Sequence, residues 1–382
     1  MELSQQFALM NATAKAAFYR GPAMKAPPGE TYNFINPPNK NAESYGIVIT
    51  GTALSTIAIL LRLYSRLFVG KRVGLRIEDY LAVSAWAIFI PWVYYILNLI
   101  SSAGVFIHQW NVRYVTLMDF LYTTDACSII YGVVMGLGKT AILLDWLHIF
   151  VPHRQKNPMA YTIYIIMGLN AAYYFAGTVV YIIPCIPRRK FWDATVPGHC
   201  IKVHAASVAS GGINLVSDIV MLAIPQKIIW GLHVTNSRKA GISALFSIGV
   251  FACVCAIARL VCSIKLFLNH EDITYVMSPV GLWTLGEMAS LFFILGVPCL
   301  SRIFKEVKWL QSAVTRIRSW TGKGTQDNPS RGGLPSWYKR APTRRKRNDM
   351  YSDLEEHTLS EVAHPANTIA RETVVEVHHS PK

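Results

Sequence analysis

Long apolar runs that recur along the chain are the feature that most narrows what it can fold into. A membrane-spanning helix needs about 20 mostly apolar residues, because the hydrocarbon core is about 30 Å thick and a helix rises about 1.5 Å per residue. Seven runs qualify, at residues 45–68, 80–101, 120–150, 159–183, 204–229, 240–267 and 276–300. The chain therefore reads as an all-α membrane protein, a seven-transmembrane helix bundle over residues 45–300 that follows an external N-terminal segment, residues 1–44. The third run is longer than a bilayer requires, so its outer turns from Phe120 are expected to project or tilt.

Composition agrees with this class. Of the 382 residues 52% are hydrophobic and only 15% charged, against about 25% charged in soluble domains. The net charge of +15 lies between and after the apolar runs, which points to anionic lipid headgroups of the bilayer rather than to nucleic acid. The first 41 residues carry no apolar run like that of a cleaved signal peptide, so the first spanning helix is expected to direct insertion.

Basic residues near helix ends set the orientation. Arg66, Lys71, Arg72 and Arg76 follow the first run, Arg154 and Lys156 the third, Arg238 and Lys239 the fifth, and Arg302, Lys305 and Lys308 the seventh. That side reads as cytoplasmic. Arg188, Arg189, Lys190 and Lys202, after the fourth run, fall on the other side and oppose the trend. The N-terminus is then external, and with it the glycosylation sequon at Asn11-Ala12-Thr13. Residues 301–320 show apolar positions at helical spacing with interspersed Arg and Lys, as in a surface amphipathic helix. Residues 321–382 are rich in Gly, Pro, Ser and charge and read as a disordered cytoplasmic tail.

Ionisable side chains at bilayer depth cost roughly 2.5–3.5 kcal/mol on insertion scales, so each must face protein, water or a partner. The candidates are Asp125, Lys139, Asp145, Asp218, Arg259 and Glu287, with Asn214 beside them. Arg259, Glu287 and Asp125 fall toward the outer half and are candidates for a ligand-binding cavity. Lys139 and Asp218 fall nearer the inner half and are expected to form a buried ion pair. Two motifs fail. Gly138-Lys139-Thr140 ends like a phosphate-binding loop, but position 133, where the first glycine belongs, is Val133. Asn214 and Asp218 share a helix face, yet the repeated Asp clusters of metal-diphosphate enzymes are missing.

The seven cysteines include no CxxC pair and no Cys/His spacing suited to zinc, so no metal is expected. Cys185 and Cys200 bracket the external basic loop and a disulfide between them is expected, with Cys127 as the competing partner. Such a bridge would hold Trp192 and the Arg188–Lys190 cluster as a lid over the bundle.

From about Tyr45 to Arg302 the order and spacing of residues resemble the fungal rhodopsin-domain family, related to fungal G-protein-coupled receptors and to membrane proteins of mycotoxin gene clusters. The likeness rests on Arg62-x-Tyr64-x-Arg66 with Glu78-Asp79, His108 with Trp110, Lys139 with Ile142-Leu143-Leu144, Cys185-x-Pro187 with Phe191-Trp192-Asp193, and Gly198-x-Cys200. It continues through Asn214, Asp218, Pro225, Lys239, Arg259, Asp272, Tyr275, Trp283, Glu287 and Pro298. The resemblance implies a seven-helix membrane fold and picks out Lys139, Asp218, Arg259 and Glu287. A heterotrimeric G protein is the cytoplasmic partner it suggests. The chain departs from the pattern at His148, where relatives carry Arg, and at Phe106, where they carry Gly; it also lacks the eight-cysteine external module of some relatives. Retinal is not expected, since residues 276–300 contain no lysine for a Schiff base.

These features give one leading expectation, a receptor-like protein of the plasma membrane that binds a small lipophilic molecule between its helices and is tied to fungal secondary metabolism. The alternative is a membrane-embedded cyclase or isomerase of such a pathway, with Asp218 or Glu287 as acid.

Overall fold

The seven apolar runs become seven long helices. The computed structural model describes residues 3–68, 74–150, 158–229, 236–268 and 272–306. Two short helices, α1 (Leu3–Ala8) and α2 (Ala12–Arg20), precede α3 (Asn41–Phe68), α4 (Ile77–Ser102), α5 (Tyr114–Phe150), α6 (Pro158–Ile182), α7 (Val203–Ile229), α8 (Asn236–Leu268) and α9 (Ile273–Glu306). Each helix from α3 to α9 is long and apolar enough to cross a membrane. A two-stranded antiparallel ribbon, β1 (Cys185–Ile186) with β2 (His199–Cys200), closes the loop between α6 and α7.

The faces of these helices are sorted as a bilayer demands. Large apolar side chains such as Leu60, Leu169, Phe175 and Val216 are exposed, while Arg62, Lys139, Asn214 and Glu287 are buried. Apolar groups outside and polar groups inside is the arrangement of a protein whose solvent is lipid. Helix α9 is the most enclosed of the spans, whereas α6 and α7 lie at the edge. Small residues let neighbouring helices approach α9. A Cβ on Gly296 would lie 3.3 Å from the Ala58 backbone of α3, and one on Gly286 2.9 Å from the Cys255 sulfur of α8.

The segment before α3 is docked on the bundle. The Ala23 amide donates to the Val112 carbonyl at 2.9 Å, the Tyr114 amide to Gly21 at 3.0 Å, and the Val105 amide to Asn41 Oδ1 at 2.9 Å. Asn11 of the sequon is exposed and N-caps α2, its Oδ1 accepting from the Ala14 amide at 2.8 Å.

Two expected boundaries move. Helix α5 starts at Tyr114, well before Phe120, because its first turns have their own apolar support: Leu117 packs with Ile107 and Val112, and Tyr114 with the Phe18 ring. Helix α9 runs to Glu306, past its candidate membrane span, Ile273–Cys299, so the first residues of the stretch read as a surface helix continue the seventh helix. The rest of residues 301–320 and the tail 321–382 lie outside the described residues.

Candidate functional site

One buried polar network joins α5, α6, α7, α8 and α9. Lys139 of α5 is buried, and its ammonium donates to Asp218 Oδ1 at 2.7 Å, Asn214 Oδ1 at 2.8 Å and Ser217 Oγ at 3.4 Å, three acceptors on α7 for three N–H groups. Asn214 and Asp218 are one helical turn apart, so both face Lys139. Asn214 is the hub. Its Nδ2 donates to Asp218 Oδ2 at 3.2 Å and to Glu287 Oε1 of α9, and its Oδ1 accepts from the Tyr174 hydroxyl of α6. The amide orientation is forced, because the ammonium and the phenol need an acceptor and the carboxylates need a donor. Glu287 Oε2 in turn accepts from Arg259 Nε of α8 at 2.9 Å. The pairs that sequence reasoning treats separately, Lys139 with Asp218 and Arg259 with Glu287, are thus parts of a single network. Its two cations and two carboxylates cancel.

Beside this network, toward the end of the bundle where the N-terminal segment docks, a cavity opens between α4, α5, α6, α7, α8 and α9. Its cavity volume is about 130 Å³, room for a small molecule and not for a folded partner. Trp92, Ile100, Phe120 and Met277 supply apolar wall, and hydroxyls such as Ser128, Tyr131 and Thr284 interrupt it. Among the described residues Arg259 is the one charged residue lining it. Its guanidinium lies over the Tyr131 ring, 5.0 Å from the centroid. Arg259 Nη2 and the Tyr131 hydroxyl are both buried and find no hydrogen-bond partner among the described residues.

Glu287 and Asp125 do not line this cavity, contrary to the sequence expectation. Glu287 is turned into the network behind Arg259. Asp125 is held by the loop between α6 and α7: Arg188 Nη2 reaches its Oδ2 at 2.9 Å. Cys185 and Cys200 are bonded to each other, and Cys127 is a free thiol on the cavity wall. Trp192 of the same loop meets Tyr122 edge-on at 5.2 Å. The basic loop is therefore clamped to α5 by an ion pair and a ring contact, above the helices that form the cavity.

At the opposite end lies a second charged cluster, whose residues the sequence names singly, Asp145 by its depth and Arg62, Arg66 and Asp79 in the family pattern, without joining them. Arg62 is almost fully buried, and its guanidinium contacts Asp79 of α4 at 2.7 Å, Asp145 of α5 at 2.5 Å and the Leu295 carbonyl of α9 at 2.7 Å. Arg66 adds contacts to Asp79 at 3.3 Å and Asp145 at 3.2 Å. The planar fork of Arg bridges two carboxylates where Lys would reach one. The signal in the sequence is the spacing of Arg62 one turn deeper than Arg66, with the acidic pair Glu78-Asp79 at the start of the next helix.

On the N-terminal face, His108 Nδ1 lies 2.5 Å from Asp272 Oδ2, and its ring is stacked between Trp110 and Tyr275 at 4.2 and 4.3 Å. This ties the loop before α5 to the start of α9. Among the described residues no group of three or more His, Cys, Asp or Glu side chains could hold a metal ion.

A charge-neutral polar network sealed inside seven apolar helices defines a multi-pass membrane protein. The chain belongs to the fungal rhodopsin domain family, whose pattern matches residues 61–306. It is 32% identical over 319 residues to the Fugralins biosynthesis cluster protein 2 of Gibberella zeae, covering 82% of this chain and 79% of that one. A SAT4 family membrane protein of Emericella nidulans is 36% identical over 169 residues, 44% of each chain. Receptor GIN3 of Arthrobotrys oligospora is 22% identical over 252 residues, 65% of this chain and 59% of that one. No solved structure matches. The chain is thus a membrane protein related both to proteins of fungal biosynthesis clusters and to a receptor.

Proposed function

We propose that this protein is receptor-like and binds a small lipophilic molecule of fungal secondary metabolism in the cavity between α4 and α9. The carrying observation is the cavity itself: mostly apolar walls, a few hydroxyls and one guanidinium at its floor, the usual make-up of a small-molecule site. The relatives support the reading, since one is called a receptor and another a biosynthesis cluster protein. In this reading the cavity lies in the outer half of a plasma-membrane protein, and the cytoplasmic end, with its Arg62 cluster, is where a heterotrimeric G protein would act. The enzyme alternative needs a free acid facing the substrate. Asp218 is held by Lys139 and Glu287 by Arg259 and Asn214, and neither lines the cavity, which favours binding over acid catalysis.

Gly177 offers a clean test. It lines the cavity, and a Cβ placed there meets nothing within 4 Å, so the position has room for the first atom of the large side chain that Gly177→Trp introduces to occupy the cavity. Native mass spectrometry of protein taken from an expressing fungal membrane should find a small molecule bound to the wild type and lost from Gly177→Trp. Identical spectra for both would refute the cavity as the site. Chemical conversion of the released molecule on incubation with the protein would favour the enzyme.

A further inference from the structure

Granting that the cavity is a ligand site, its floor specifies which chemical group the ligand must carry. A buried donor without a partner is costly, and native structures tolerate few. Here two occur on adjacent groups, Arg259 Nη2 and the Tyr131 hydroxyl, brought together by the guanidinium lying over the phenol ring. Both residues line the cavity, and Arg259 is only 6% exposed. Arg259 is anchored through its Nε, which donates to Glu287, a residue that Asn214 holds in place. The guanidinium is therefore held from behind by Glu287 of α9, itself held by Asn214 of α7, with Nη2 buried and unpartnered.

Two unpartnered polar atoms on neighbouring residues, each able to donate, call for an acceptor, and the charge of that acceptor is decided by the network. Glu287 already neutralises Arg259, and Asp218 already neutralises Lys139. An anionic ligand would leave an unbalanced negative charge in a low-dielectric interior, and a cationic ligand would face Arg259 with no free carboxylate on the wall. We propose that the site takes a lipophilic molecule bearing a neutral carbonyl oxygen, a ketone, ester or amide, which accepts from Arg259 Nη2 and the Tyr131 hydroxyl while its apolar body lies along Trp92, Phe120 and Met277. Arg259 and Tyr131 are the residues that select for oxygen, and Glu287 and Asn214 position Arg259.

The test uses the full chain in lipid nanodiscs and matched long-chain photoaffinity probes that differ only at the head: methyl, methyl ketone, carboxylate or trimethylammonium. Dose-dependent labelling of cavity-lining residues on α5 and α9 is mapped by mass spectrometry. The ketone probe should label at the lowest concentration. Tyr131→Phe removes a hydroxyl that makes no hydrogen bond, so it should fold normally and weaken ketone labelling about two- to tenfold while leaving the methyl probe unchanged. Arg259→Lys, which keeps the charge facing Glu287, should weaken it about tenfold or more. Equal labelling by ketone and methyl probes, or an unchanged preference in Tyr131→Phe, would overturn the carbonyl assignment and leave the cavity reading intact. Strongest labelling by the carboxylate would overturn the charge argument. Failure of every probe to label the cavity wall of the wild type would overturn the cavity reading itself.

Discussion

Replacing Lys139 by methionine keeps the length and apolar stem of the side chain and removes its charge. Three contacts go at once, to Asp218, Asn214 and Ser217. The carboxylate of Asp218, 12% exposed, is left with the Asn214 amide as its partner in the network. Stranding one member of a buried ion pair costs about 3–5 kcal/mol. Asp218→Leu should cost a similar amount by stranding Lys139. The double variant behaves differently, because no unpaired charge remains; Asn214 still holds Tyr174 and Glu287 and loses two hydrogen bonds worth about 1 kcal/mol each. The double variant should thus be destabilised by about 2 kcal/mol, less than either single, where independent residues would sum to about 8 kcal/mol. Reversible unfolding in mixed micelles, followed by helical circular dichroism, gives all four stabilities. A double variant that loses the sum of the two singles would refute the pairing and the network built on it.

Arg62→Lys keeps the charge but cannot fork to Asp79, Asp145 and the Leu295 carbonyl together, so it should cost about 2–3 kcal/mol in the same unfolding assay; a neutral result would show that the cluster is not a packing lock. Removing both Cys185 and Cys200 opens a bridge of sequence separation 15, worth up to about 3 kcal/mol in loop entropy, and non-reducing peptide mapping should find these two residues joined and Cys127 free; a bridge from Cys127 to either would contradict the arrangement. Phe106 has φ of 58°, in the left-handed region that a side chain with a Cβ adopts at a cost. Comparing Phe106→Gly with Phe106→Ala isolates that backbone cost, since both lose the ring; the glycine variant should be more stable by about 1 kcal/mol, and equal stabilities would mean that the loop relaxes.

Much of the fold was legible because hydropathy and length are nearly sufficient for a spanning helix, whose backbone bonds close within one segment. The same depth argument isolated Lys139, Asp218, Arg259 and Glu287, since a charge at bilayer depth is rare whatever its partner. Partners were harder to read. Asn214 was noted for its spacing from Asp218, but its role as hub depends on Tyr174 and Glu287 from two other helices, and no local pattern encodes that. Asp125 was placed on the cavity because of its depth; the structure gives it to Arg188, on a loop whose path is set by the ribbon and the disulfide. Arg62 was missed as a centre because it sits close to a helix end, where a basic residue normally answers to headgroups. The departure at Phe106 was visible as an unexpected side chain, and the positive φ supplies its physical meaning.

The central claim is that the cavity beside Arg259 holds a small molecule through its neutral oxygen. The most direct measurement is a cryo-electron-microscopy map of the full chain purified from a fungal membrane, at a resolution that resolves side chains. One compact density is expected between α4 and α9, its polar end within hydrogen-bond distance of Arg259 Nη2 and the Tyr131 hydroxyl. A cavity filled by ordered water alone, or by a lipid tail with no polar atom near Arg259, would contradict it.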